Sequence, residues 1–267
     1  MLRDLQGRNI LITGASRGIG RCLAEKLAVF GVKLTLVARS ESALTDLAGK
    51  LGVAGTIAFP IAADLTVQTE RERVVREAVG KMGGLDLLIN NAGVASFGHF
   101  ATSSEAVLRT IMEVNFFAPA ELMRLAAPDL KNGRQPAIVN VASVCGRRGL
   151  PAWSEHCASK FALVGLSEAL RGEFARFDID VLVMLPGLVR SEDLGRHLLR
   201  NEGRKNLDVA GVQPPEEVAD AVMQALRRNR AETPVGWQSR WLLRANRFAP
   251  RFVDRMMARK VKQLYCQ

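Results

Sequence analysis

Tyrosine is almost missing from this chain: among 267 residues there is one, Tyr265, close to the C-terminus, and aromatic residues make up only 6% of the whole. Histidine is nearly as scarce, with His99, His156 and His197 the only three, so no imidazole cluster stands ready to ligate a metal. The four cysteines, Cys22, Cys145, Cys157 and Cys266, have neither metal-type spacing nor the density of a disulfide-stapled domain, and they read as free thiols. No run of 18 apolar residues occurs, and the short apolar stretch 10–13 ends at a glycine cluster rather than continuing as a secretory signal core. A soluble, cytoplasmic protein is expected. The net charge of +10 raises the question of nucleic acid, but no zinc-finger, helix-turn-helix or RNA-binding pattern accompanies it, which argues against that partner.

What the chain does have is a 48% hydrophobic content and enough length to bury one substantial α/β core. Short β-type runs at 9–13, 33–38, 56–62, 85–89, 137–141 and 180–185 alternate with segments whose apolar residues recur every three to four positions, at 18–30, 42–51, 67–81, 103–130, 154–177 and 215–228. This alternation predicts a parallel sheet covered by helices on both faces. One domain is expected over 1–236, with an irregular stretch at 188–212 that reads as a mobile cover. The charge is concentrated beyond it: residues 237–267 hold eight basic residues against the single acid Asp254, a net +7. Apolar residues recur at helical spacing among those arginines, and Pro250 should kink or divide the helix. Such a segment either packs on protein with its arginines in water, or lies on an anionic membrane surface.

The first strand runs into Thr13-Gly14-Ala15-Ser16-Arg17-Gly18-Ile19-Gly20 and then a helix. A glycine-rich turn at a helix N-terminus brings backbone N–H groups up to a pyrophosphate, with the helix dipole favouring its charge. At the end of the second strand a carboxylate would accept from the ribose hydroxyls of NAD, yet Arg39 stands there. A guanidinium suits the 2′-phosphate of NADP, and Arg17 can approach the same group from the turn. NADP(H) is the cofactor these residues predict.

The spacing of Gly14, Gly18 and Gly20 resembles the short-chain dehydrogenase/reductase family, and further motifs agree in order over about residues 5 to 236. Asn90-Asn91-Ala92-Gly93 is similar to that family's NNAG motif, Asp64 to its adenine-contacting acid, and Asn115 to its structural and catalytic asparagine. Ser143 closes Asn140-Val141-Ala142-Ser143, and Pro186-Gly187 with Ser191 resembles the PG-x-V-x-T segment. The resemblance implies a doubly wound Rossmann-type fold with a parallel sheet of about seven strands, a homodimer or homotetramer, and hydride transfer between NADP(H) and a carbonyl or alcohol substrate. It places Gly14, Ser16, Arg17, Gly18, Ile19, Arg39, Asp64, Asn91, Gly93, Lys160, Pro186, Gly187 and Ser191 around the cofactor, with no metal.

The departure lies in the catalytic helix. In the family, tyrosine follows the serine by 13 residues and lysine follows the tyrosine by four; here those positions are His156 and Lys160. The resemblance implies that Asn115 organises a proton relay, Ser143 orients the substrate oxygen, and Lys160 binds ribose and tunes its neighbour. For His156 three readings stand: an acid/base in a reductase of altered substrate class, the mark of a catalytically poor NADP-binding sensor or scaffold, or a chance or structural substitution. Ser96, Val144, Trp153, Leu188, Leu194 and His197 are expected to line a mostly apolar substrate cleft, which favours a lipophilic substrate.

Overall fold

In a computed structural model, residues 2–190, 198–202 and 212–265 are described. The strands are β1 (Asn9–Thr13), β2 (Lys33–Ala38), β3 (Ile57–Ala62), β4 (Leu87–Asn90), β5 (Ala95–Phe97), β6 (Ala137–Val141), β7 (Asp180–Leu185), β8 (Leu198–Asn201) and β9 (Glu232–Pro234). The main helices are α1 (Gly18–Ala28), α2 (Glu41–Val53), α3 (Gln68–Met82), α4 (Glu105–Met112), α5 (Ala118–Leu130), α6 (Ser154–Phe174), α7 (Pro215–Arg228), α8 (Gly236–Phe248) and α9 (Pro250–Tyr265).

Seven strands form one all-parallel sheet in the order β3-β2-β1-β4-β6-β7-β9. Strands covered on both faces need continuous apolar runs, and β4 and β6 are buried at every position. One helical layer brings Leu23 and Leu27 of α1, Leu44 and Leu47 of α2 and Val218 and Val222 of α7 onto the sheet. The opposite layer seats Val74 of α3, Leu122 and Met123 of α5 and Leu163 and Val164 of α6. The doubly wound Rossmann-type architecture is therefore as the sequence suggests. Strand order reverses between β1 and β4, which opens a crevice at the carboxyl ends of these strands.

Three features depart from the sequence reading. The helix expected over 103–130 is interrupted by a π-helical turn, Glu113–Phe117, because one residue more than the α-helical ladder can hold is accommodated there. Within the irregular stretch 188–212, Leu198–Asn201 pairs in parallel with β5 as a separate two-stranded sheet, while most of the expected cover lies outside the described residues. The seventh strand, β9, spans only three residues and carries no alternating pattern to betray it. Pro250 does divide the C-terminal segment: Ala249 takes φ −139° and ψ 60°, off the helical path, as a residue before proline tends to do.

Candidate functional site

The turn after β1 is shaped by two glycines. Gly14 adopts φ +65°, a left-handed conformation costly for residues with a Cβ. Gly20, fully inside α1, is needed for closeness instead: a Cβ there would sit 2.6 Å from Asn91 Nδ2 and collide with the Gly14 carbonyl. That contact is knit by hydrogen bonds. Asn91 Nδ2 donates to the carbonyls of Thr13 at 3.0 Å and Gly14 at 3.1 Å, and Thr13 Oγ accepts from the N–H of Asn91 and Ala92. Gly20→Ala should therefore lower the unfolding free energy by about 1–3 kcal/mol in urea denaturation; an unchanged midpoint would show that the turn yields freely.

Beyond this knot, α1 begins after Arg17 with no N-cap side chain bonded to its first N–H groups, and Gly18 and Ile19 of that first turn line the crevice. A cavity of about 840 Å³ opens there. Gly14, Ser16, Arg17, Gly18, Ile19, Arg39, Asp64, Asn91 and Gly93, all singled out from the sequence, line it. Asp64 accepts from the N–H of Thr66 at 3.0 Å and from its hydroxyl at 2.8 Å. The Thr66 N–H bond, helped by the hydroxyl and by the Arg39 charge, holds its carboxyl below the usual range. An anionic ligand with a long polar body fits this wall of open N–H groups and guanidinium side chains.

A second cavity of about 280 Å³ adjoins the first, sharing Arg17, Ile19, Asn91, Gly93, Val94 and Val189 with it. It brings together Ser143, His156, Lys160, Pro186 and Gly187, with Trp153 and Leu188 on its wall. Of the other expected lining residues, Val144 is buried in the core, and Ser96 points away, its hydroxyl donating to the buried Glu155 carboxylate at 3.0 Å. Ser191, Leu194 and His197 lie outside the described residues.

Asn115 does not line this second cavity; it stands behind it, fully buried in the π-helical turn. Its Nδ2 donates to the Val94 carbonyl at 2.8 Å and to Ser159 Oγ at 3.0 Å, and its Oδ1 accepts the Val94 N–H at 2.9 Å. Both amide protons are thereby spent. His156 Nδ1 lies 3.2 Å from the same Val94 carbonyl and 3.5 Å from Asn115 Nδ2. Since a carbonyl only accepts and the amide has no proton left to give, Nδ1 must carry the ring proton, leaving Nε2 as a bare acceptor. Burial, reinforced by the Lys160 charge, pushes the His156 pKa down to about 4.

Lys160 is buried and donates to the Val141 carbonyl at 3.0 Å, leaving two ammonium protons for an occupant of the cleft. Desolvation lowers its pKa to about 8. Ser143 Oγ accepts the Cys145 N–H at 3.1 Å and gives its proton to the Pro186 carbonyl over a long 3.3 Å, a weak bond easily exchanged for a ligand. Sequence reasoning missed Gln213, which is buried and fastens the cleft floor: its Oε1 accepts the Gly187 N–H at 2.9 Å and its Nε2 donates to the Val235 carbonyl. It missed Val94 for a different reason, because the acting group is a backbone carbonyl that no side-chain pattern reports.

Comparison with known proteins agrees with this geometry. A family model described as short chain dehydrogenase matches residues 8–203. A ketoacyl reductase of Nostoc sp. is 31% identical over 261 residues, 96% of this chain and 90% of that protein. Among solved structures, a short-chain dehydrogenase/reductase from Burkholderia phymatum in complex with NAD superposes with a TM-score of 0.81 at 26% identity, covering 92% of this chain and 95% of that one. A short chain dehydrogenase from Burkholderia cenocepacia in complex with NADP gives 0.81 at 27% identity, covering 96% and 99%. The chain belongs to the short-chain dehydrogenase/reductase family of nucleotide-binding oxidoreductases.

Proposed function

We propose that this protein is an NADP(H)-dependent oxidoreductase that transfers hydride reversibly between the nicotinamide and a lipophilic alcohol or carbonyl compound, with His156 in the acid/base position. The observation that carries the reading is the state of His156: Nδ1–H fixed on the Val94 carbonyl, Nε2 a bare acceptor, in one small cleft with Ser143 and Lys160. Arg17 and Arg39 on the wall of the larger cavity support NADP over NAD, since a carboxylate at the end of β2 would repel a 2′-phosphate. When bound, NADP(H) supplies the hydride acceptor or donor.

The side chains then divide the remaining labour. Nε2 takes the hydroxyl proton of an alcohol while Ser143 Oγ holds the substrate oxygen, and Lys160 places its ammonium towards the ribose and the reacting oxygen. Asn115 acts at one remove: it clamps the Val94 carbonyl, and that carbonyl fixes the imidazole tautomer. In the reductive direction His156 must first be protonated, and a pKa near 4 makes the imidazolium scarce at neutral pH. At neutral pH the resting imidazole therefore stands in the state that accepts a proton, the state alcohol oxidation starts from, although the same burial and Lys160 charge make it a weak base.

The same low basicity favours a second reading, a catalytically poor NADP-binding sensor or scaffold. The two separate when NADP⁺ reduction by an alcohol panel and NADPH oxidation by ketones, aldehydes and quinones are followed for wild type and His156→Tyr. Wild-type turnover that the tyrosine does not improve supports the enzyme. A silent wild type with saturable NADPH binding, woken by tyrosine, supports the sensor.

The cofactor choice has its own test. Arg39→Asp should raise the NADP⁺ dissociation constant about 100-fold, since a hydrogen-bonded charge pair is worth up to roughly 3 kcal/mol, and leave NAD⁺ affinity within a few-fold. Calorimetric titration of both cofactors decides it. Equal losses would put Arg39 away from the 2′-phosphate.

A further inference from the structure

The C-terminal helices carry a surface that the cleft chemistry does not use. On α8, Ser239 is buried beneath Gly187, where a Cβ added to the glycine would stand 3.3 Å from Ser239 Oγ, and Leu242 and Leu243 pack onto the protein core. That accounts for one side of the helix. Positions 237, 241, 244 and 248, spaced by four, three and four, form a single stripe on the opposite side. They are Trp237, Trp241, Arg244 and Phe248, and the three aromatics are 71%, 47% and 82% exposed. Phe252, 56% exposed, extends the surface past the Pro250 break.

Soluble faces rarely put large aromatics outward in a row, so this stripe calls for a partner. Charge identifies its kind. Arg240, Arg244, Arg247, Arg251, Arg255 and Arg259 are all exposed around the aromatics. The single acid of the segment, Asp254, is already engaged by Arg148. Among the described residues no ion pair neutralises those six. A second copy of this chain docking face to face would set arginine against arginine, which disfavours self-association through the stripe. An anionic bilayer suits both components: arginines meet lipid phosphates, while tryptophan and phenylalanine settle at the boundary between headgroups and acyl chains. No helix among the described residues is long and apolar enough to cross a membrane, so the contact would be superficial.

We propose that the outward face of α8 and the start of α9 is a docking surface for an anionic membrane, with Trp237, Trp241, Phe248 and Phe252 entering the interface and the flanking arginines holding the headgroups. This surface stands independently of how His156 behaves. Because α8 lies against Gly187 on the floor of the cleft, docking would hold the active site beside the bilayer.

The test is cosedimentation of the full chain with phosphatidylcholine vesicles and with vesicles of phosphatidylcholine and phosphatidylserine, alongside Trp237→Ser/Trp241→Ser and Arg244→Gln/Arg247→Gln. Thermal melting and NADPH titration verify that each variant is folded. Wild type should pellet with the anionic vesicles only, with a blue shift of its tryptophan emission. Each arginine neutralised should weaken binding roughly fivefold, about 1 kcal/mol per charge near the surface, so the double variant should bind about 25-fold more weakly. The double serine variant should lose the blue shift together with most of the binding. Failure of wild type to pellet, or equal pelleting by both folded variants, would overturn the proposal. So would a wild-type dimer in sedimentation velocity that the serine pair dissolves, since the stripe would then belong to a second copy.

Discussion

Lys160→Met is expected to make the protein without cofactor more stable and the enzyme nearly inert. The ammonium is buried and its pKa stands near 8 against an ordinary 10.5, a difference that desolvation causes. At neutral pH the folded state carries this penalty of about 3 kcal/mol. Methionine fills similar space without the charge, and leaving the Val141 carbonyl unpartnered gives back about 1 kcal/mol. A net gain of about 2 kcal/mol, or roughly 4–8 °C in melting temperature, should follow. The sign can be checked against pH. Because the folded pKa lies below the unfolded one, wild-type stability should rise between about pH 8 and 10.5, and the methionine variant should lose that rise. Activity should move the other way, with kcat/KM falling by about 10²–10⁴ as the cation beside the reacting groups disappears. A variant that melts lower than wild type would mean that the lysine belongs to the structural core rather than to a strained site.

His156→Phe should be the second large loss. Removing the acceptor at Nε2 takes away the positioned base, and alcohol oxidation should slow by about 10²–10⁴, mostly in kcat. The pH profile distinguishes this from mere disturbance of the cleft. Wild-type oxidation should be insensitive to pH around 6 to 7, where an ordinary histidine titrates, and should fall only as pH approaches the His156 pKa of about 4. It should also decline above about 8 as Lys160 loses its charge. Stability gives an independent reading. A histidine held at a pKa of about 4 against 6.5 unfolded loses stability as pH drops through that interval, because the unfolded chain takes up the proton first. The phenylalanine variant should lack about 2 kcal/mol of that acid sensitivity, the full shift being discounted because the ring edge meets the open cleft. An unaltered acid limb in the variant would assign it to other groups.

Much of this is legible in the sequence, for reasons that differ by region. The parallel strands stand out because burial on both faces forces unbroken apolar runs such as 87–89, and Gly14 stands out in a glycine-rich turn between strand and helix, whereas Asn91 and Lys160 were legible only through the family resemblance of the motifs that carry them. The π-helical turn was not legible, since apolar recurrence every three to four residues looks the same with or without one extra position. Ser96 and Val144 were misplaced because pocket walls and cores draw on the same residues. The tautomer of His156 required the Val94 carbonyl, which any residue type could have supplied. In the C-terminal segment periodicity announced helices and Pro250 their division, but only packing revealed that Leu242 and Leu243 face inward while Trp237 and Trp241 do not.

Chain length itself is constrained between Glu113 and Phe117. A π turn is an α-helical run with one residue to spare, so deleting Glu113 or Val114, just ahead of Asn115, would let the hydrogen-bond ladder of α4 close smoothly onto that of α5. By the usual measures of secondary structure the shortened chain would be improved. Yet dropping one residue turns what remains by about 100° around the axis, and Asn115 would swing away from Val94, releasing the carbonyl that tethers His156. Here the surplus residue works as a spacer whose removal heals the helix and disarms the site.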